Sequence, residues 1–272
     1  MRRIARILFF ILPFVVAAPS AQSQEPAAVQ NPSGISMKSV ETLGQSGTGP
    51  KVIGGRPART SDWRASFFSA VPGARCTAQL VGPSTLLLAA HCVADGSEAS
   101  IEVDGKVYTG TCTQADEYKS DASADYALCK MTADIPGIPF ENVNIDPTLV
   151  TKGKLLLLTG YGCTAPGGIS DGIFRIADAA VSLLPGEREP NSIITQDQTA
   201  ICPGDSGGGA FVVSSAKKRV AVSVNSRVAF TKGESYLSSL STSTAIRFLT
   251  KWSAQNGGAR ICGFNQKGSP CR

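Results

Sequence analysis

The sequence predicts an all-β fold, a closed sheet architecture that ends in one helix. Two observations carry this. Short apolar runs recur between turn-formers: "RASFFSAV", "AQLV", "TLLLAA", "SIEVDGKVYTG", "KLLLLTGYG", "GAFVV" and "KRVAVSVNSRVAF". Helical periodicity is nearly absent until "STAIRFLTKWSAQNGG", where Ile246, Phe248, Leu249 and Trp252 make an apolar face and Gly257-Gly258 ends it. Asp104-Gly105 between two β-prone runs is a hairpin signal. Many short strands, frequent turns and no internal repeat suit a closed β architecture.

Ahead of these runs, "MRRIARILFFILPFVVAAPSAQSQ" reads as a secretory signal over residues 1–23. Arg2, Arg3 and Arg6 form its positive start and Ile7 to Ala18 its apolar core, with cleavage expected at Ala18-x-Ser20 or Ala21-x-Ser23. The apolar run is too short to span a bilayer, and Pro13 interrupts it. A secreted protein, extracellular or periplasmic and without a membrane partner, is expected. Residues 24–51 are rich in Gln, Pro, Gly and Ser with few large apolar side chains, so they are expected to form a disordered propeptide. Residues 52–272 suffice for one large all-β domain. Residues 1–51 hold five basic and two acidic groups, so the net charge of +5 becomes +2 without them. That balance gives no case for nucleic acid or an anionic membrane.

All eight cysteines (Cys76, Cys92, Cys112, Cys129, Cys163, Cys202, Cys262, Cys271) lie in the later part. An even count in an exported chain argues for disulfides. The chain has no C-x-x-C pair and one histidine, so no metal is expected, and no other cofactor.

"ICPGDSGGGAF" (Ile201 to Phe211) sets a serine between an aspartate and three glycines. Alone, Gly-Asp-Ser-Gly fits a flexible turn, and the same letters fit a nucleophile elbow. His91, the one histidine, sits in "LLLAAHCV" with Cys92 directly after it. A histidine beside apolar residues fits a structural role as well as that of a base. A base in acyl transfer must be neutral near pH 7 and held in one tautomer, which a buried carboxylate would do. Asp125 in "SADYALCK" heads an apolar stretch, where it is either a turn residue or that carboxylate. The order His91, Asp125, Ser206 discriminates. An α/β-hydrolase places its histidine after the nucleophile, and none follows Ser206.

"VIGG" (Val52–Gly55), "LAAHC" (Leu88–Cys92), "DYAL" (Asp125–Leu128), "GYG" (Gly160–Gly162) and "GDSGG" (Gly204–Gly208) stand in one order across this region. In these the chain resembles the chymotrypsin/trypsin-like serine peptidases. The resemblance implies two six-stranded antiparallel β-barrels of the chymotrypsin type, a cleft between them and a C-terminal helix. It implies Ser206 as nucleophile, His91 as base, Asp125 as its orienting carboxylate, and the N–H groups of Gly204 and Ser206 as an oxyanion hole. It also implies activation by a cut after Lys51, whose new α-amine on Val52 would pair with Asp205. Cys76–Cys92 matches the family's bridge behind the histidine. Cys163 is expected to replace the usual partner of Cys202, a pairing shared with bacterial members. Cys112–Cys129 and Cys262–Cys271 would complete the set.

The chain departs from the family pattern at several positions. Gly209 stands where proline commonly follows "GDSGG". Ala200, with Ile201 next, stands where members that cut after Lys or Arg place an aspartate, so a small or medium apolar residue before the scissile bond is expected. The pocket wall falls near Asn225, Ser226 and Arg227; if Tyr236 takes the family's tyrosine position, Glu234 lines the same pocket and would restore specificity for a basic residue from the side wall. The reading is a secreted serine endopeptidase acting on polypeptides, with an external activating protease and protein inhibitors as further partners. Its rivals are a catalytically silent binding protein and an esterase.

Overall fold

In the computed structural model the described residues are 35–39, 53–71, 74–214 and 218–271. The expected signal segment, Lys51 and Val52 lie outside them.

The first barrel is built from β1 (Ile35–Ser39), β3 (Ser66–Val71), β4 (Ala74–Gly82), β5 (Thr85–Leu88), β6 (Glu98–Val103), β7 (Lys106–Gln114) and β8 (Ala127–Met131). It closes in the order β1-β3-β4-β5-β8-β7-β6. The hairpin between β6 and β7 turns through Asp104 (φ 48°) and Gly105 (φ 74°), the two positive φ values that a two-residue hairpin turn uses.

The second sheet holds β2 (Arg56–Pro57), β9 (Leu155–Gly160), β10 (Arg175–Leu183), β11 (Ser192–Gln196), β12 (Gly209–Val213), β13 (Arg219–Ala229) and β14 (Glu234–Ser239). Its order is β11-β14-β13-β12-β9-β10-β2. β10 also pairs with β11, so β9 to β14 return on themselves and β2 lies on the outer edge of β10.

One expectation needs correction. The first barrel has a seventh strand, β1, which comes from the segment 24–51 expected to lack structure. That segment is poor in apolar residues on average, but "ISMK" alternates: Ile35 and Met37 are buried, Ser36 and Lys38 exposed.

The two units share an aromatic seam. Trp63 and Phe68 of the first half meet Phe174, Phe211 and Tyr161 of the second, with ring centroids 4.8 to 5.3 Å apart along the chain of contacts. The Arg219 guanidinium lies 3.6 Å from the Trp63 ring centroid and pairs with the buried Glu141. Beyond the seam, the second barrel has its own core, which includes Leu158, Val181, Ile193, Ile201 and Leu237. The final helix, α1 (Ser243–Gln255), is capped by Thr242, whose Oγ1 accepts from Ala245 N at 3.2 Å. It buries Ala245, Phe248, Leu249 and Trp252, while Ile246 is half-buried. Phe248 packs on Tyr126, next to Asp125, with centroids 5.5 Å apart, so the helix braces the element that carries that carboxylate.

All four expected disulfides form: Cys76–Cys92, Cys112–Cys129, Cys163–Cys202 and Cys262–Cys271.

Candidate active site

His91 lies in a single 3-10 turn, Ala90–Cys92, that follows β5. Two devices hold this turn. The Cys76–Cys92 bridge ties it to β4. The buried Gln114, at the end of β7, donates from Nε2 to Ala90 O at 2.9 Å and to Val93 O at 2.7 Å. Both ends of the turn are thereby pinned.

Asp125 precedes β8 and is 1% exposed. Its Oδ1 accepts from His91 N at 2.9 Å, and its Oδ2 meets His91 Nδ1 and the Ser226 hydroxyl, each at 2.6 Å. Its own N–H donates to Ser238 Oγ at 3.2 Å. With Nδ1 committed to a carboxylate, the proton of neutral His91 sits there and Nε2 keeps its lone pair. Burial pushes the Asp125 pKa up, but the His91 and Ser226 contacts more than offset it, and the carboxyl titrates below its ordinary value. For His91, burial pulls the pKa down, Asp125 outweighs it, and the net shift is upward. The Arg227 guanidinium pulls slightly the other way.

Ser206 lies in the turn between Cys202 and β12, and the first barrel grips that turn. Thr77, next to Cys76 on β4, donates from Oγ1 to Gly204 O at 2.7 Å and from its N–H to Ser206 O at 2.7 Å. The approach is close enough to dictate a glycine. Gly207 has φ +85°, and a Cβ there would lie 2.1 Å from Thr77 O.

The backbone donors of the turn divide into two groups. Asp205 N donates to Cys202 O, Gly207 N to Asn225 O and Gly208 N to Asp205 O. Among the described residues, nothing accepts from Gly204 N or Ser206 N, the two donors the resemblance assigns to an oxyanion. Gly204 has φ +107°.

Asp205 turns away from Ser206 and beneath the "GYG" loop. Its carboxylate accepts from Gly162 N at 2.7 Å and from Cys202 N at 2.8 Å. A Cβ at Gly160 or Gly162 would lie 2.2 or 2.3 Å from its oxygens, so this motif is clearance for a buried acid. Burial is the largest influence and outweighs both hydrogen bonds, which pushes the Asp205 pKa up to about 7. Ile53, the residue after Val52, forms a β-bridge with Ala200, five residues before Asp205.

The expected pocket residues separate into distinct places. Ala200 and Ile201 are buried, and Ile201 N donates to Ser235 Oγ at 3.0 Å while its side chain joins the core of the second barrel. Asn225 exchanges backbone hydrogen bonds with Gly207 and Gly208 and donates from Nδ2 to Thr159 O at 2.8 Å, beneath the nucleophile turn. Ser226 belongs with Asp125. Arg227 pairs with Glu189 at 2.6 Å and lies 5.1 Å from the Tyr236 ring centroid. Glu234 is buried against Arg188 at 2.8 Å and accepts from the Tyr236 hydroxyl at 2.9 Å. Gly209 sits where a Cβ would lie 2.5 Å from Gln79 Nε2.

Sequence reasoning missed Thr77, Gln114 and Ser238. Thr77 alone had a local signal, its place beside a cysteine of the histidine bridge. Cys76, His91 and Cys92 form the one group of three potential metal ligands among the described residues. Both sulfurs are spent in a disulfide, so no thiolate is left to bind an ion.

No curated protein matches this chain significantly. Among solved structures, Glu endopeptidase superposes with a TM-score of 0.56 at 15% identity, over 74% of this chain and 97% of its own. A mutant of human heparin binding protein gives 0.60 at 18% identity, over 77% and 99%. These likenesses show the chymotrypsin-like fold. The sequence model of one family, Trypsin, matches residues 52–242 and takes in every motif from "VIGG" to "GDSGG". The chain belongs to the trypsin family.

Proposed function

We propose that this chain is the precursor of a secreted serine endopeptidase that cuts peptide bonds through an acyl-enzyme. One observation carries the reading. Among the described residues nothing accepts from Gly204 N or Ser206 N, in a turn gripped by the strand that is bridged to the His91 turn, and His91 Nδ1 is committed to a buried carboxylate. Ser206 Oγ attacks the substrate carbonyl carbon as His91 Nε2 takes its proton. The carbonyl oxygen becomes an oxyanion that accepts from Gly204 N and Ser206 N. Collapse expels the amine, which leaves with the proton from His91. Water then repeats the steps on the ester and restores Ser206.

The precursor is switched on by an external protease that cuts after Lys51. Ile53 already pairs with Ala200, and Asp205 is a buried acid whose two backbone N–H donors and the Arg175 charge do not offset its burial. An α-ammonium on Val52 would supply the missing charge. The residue before the scissile bond is small or medium and apolar. Ala200 offers no anion, and the Glu234 carboxylate is taken by Arg188 and Tyr236. The partners that follow from this reading are polypeptide substrates, the activating protease and protein inhibitors.

A biotinylated fluorophosphonate tests the chemistry. Protein cut after Lys51 should be labelled at Ser206, and the Ser206→Ala variant should not. Failure of the cut protein to react would overturn the peptidase reading and leave a binding protein in its place. Labelling with ester turnover but no peptide turnover would identify an esterase.

A further inference from the structure

We infer that Ile35–Ser39 is a permanent strand of the enzyme: the segment before Lys51 stays bound to the first barrel after the cut, with no covalent link. β1 is paired on both edges. It runs antiparallel to β3, with Lys38 opposite Phe68, and parallel to β6, with Ile35 to Lys38 opposite Ala99 to Glu102. Ile35 and Met37 point into the core and are 3% and 1% exposed. Lys38 Nζ lies 3.6 Å from Glu102 Oε2 on the outer face. Removing the strand would open two rows of backbone donors and acceptors and an apolar slot between them.

The strand also bears on the site. β3 pairs with β4 along its length, and β4 carries Thr77, which grips Gly204 and Ser206. The first cysteine is Cys76, so no disulfide can tether residues 1–51 once Lys51 is cut. Retention therefore rests on pairing and burial alone. The competing outcome is direct closure. β3 and β6 run antiparallel to each other across β1, so they could pair if they moved together by about one strand spacing, ~4.8 Å.

The inference shares the cut after Lys51 with the reading above, but its readouts do not use catalysis. Gly47→Asp, Thr48→Asp, Gly49→Asp and Pro50→Asp together create an enteropeptidase site ending at Lys51. After the cut, native size-exclusion chromatography with intact mass analysis should show the fragment co-eluting 1:1 with the body. Amide exchange should remain slow across 36–39 and 99–102. Met37→Asp in the same protein should release the fragment on cutting and lower the melting temperature by about 5–10 °C. Ser36→Asp, on the exposed face, should release nothing. A fragment that elutes apart from the body in the parent protein would overturn the inference, whatever the activity of Ser206.

Discussion

The base side and the nucleophile side of this trypsin-family site are prepared to different degrees. On the base side, each Asp125 oxygen has a donor, the His91 turn is pinned at both ends, and the charges answer each other. On the nucleophile side, the backbone is gripped by Thr77, but the buried Asp205 is met by two backbone N–H groups and a weaker influence from the Arg175 charge, which together do not offset its burial. The lesson is where control can act. A pair already complete would not serve as a switch under the proposed cut, whereas a carboxylate whose pKa burial pushes up to about 7 would, because one added cation changes its state.

The largest effect should come from removing either reacting side chain. Ser206→Ala in the cut protein should reduce peptide turnover about a millionfold, to near background, with the melting temperature unchanged. His91→Ala should do nearly as much, since residues acting as one unit are strongly non-additive. Single-turnover kinetics on a peptide substrate would check both. Appreciable turnover by the Ser206→Ala protein would show that the base side serves some other nucleophile.

The comparison itself is tested by Lys51→Gln, which keeps the precursor whole. Its turnover should be about a hundredfold to a thousandfold below that of the cut protein, the range expected when an oxyanion donor is misplaced. Stability should separate the two forms as well. A carboxyl whose folded pKa lies above its unfolded value costs stability once it ionises. The uncut chain should therefore weaken as pH rises from about 4 to about 7, by up to about 4 kcal/mol. If an ammonium on Val52 pairs with Asp205 in the cut form, as proposed, that loss should shrink and reappear only under alkaline conditions as the amine deprotonates. Melting curves at pH 5 and pH 8 on both forms measure this. Equal activity and equal pH slopes would remove the switch and leave Asp205 as a purely structural acid.

How much of this was legible in the sequence depends on how tightly physics restricts each position. "GDSGG" and "GYG" were readable because backbone or carboxylate crowds their glycines, so no other residue fits. The histidine turn was readable because a cysteine clamps it. The alternating strands and the final helix followed from periodicity. β1 was not readable from composition, because four alternating residues vanish in the average of a polar 28-residue segment. The Ser226 bond to Asp125 is hidden for a different reason. The register of β13 against β14 shifts between Asn225 and Arg227, and an irregularity there defeats any count of alternating faces. Thr77 and Gln114 act across long sequence distances through single hydrogen bonds, which no local pattern records.

The smallest effect concerns the Ser226 hydroxyl, which separates two views of the base side. Ser226 donates to the same Asp125 oxygen that holds His91 Nδ1, and this bond helps keep the Asp125 pKa low. Ser226→Ala should cost about tenfold in turnover, the weight of one hydrogen bond to a charged group. Its pH profile is the more telling readout. The raised pKa of His91 should place the acid limb of kcat/KM above the ordinary histidine range if the parent protein is the proposed peptidase. Without the serine donor, the carboxylate is less stabilised alone and holds the His91 proton more strongly, so the limb should move further up. The stability of the ion pair runs opposite to activity. It is fully present below the unfolded histidine pKa of about 6.5 and fades as pH rises through the folded value, just where turnover grows. A limb that stays in place while turnover falls would mean Ser226 only positions Asp125. A limb that moves up would mean the second barrel tunes the base held by the first.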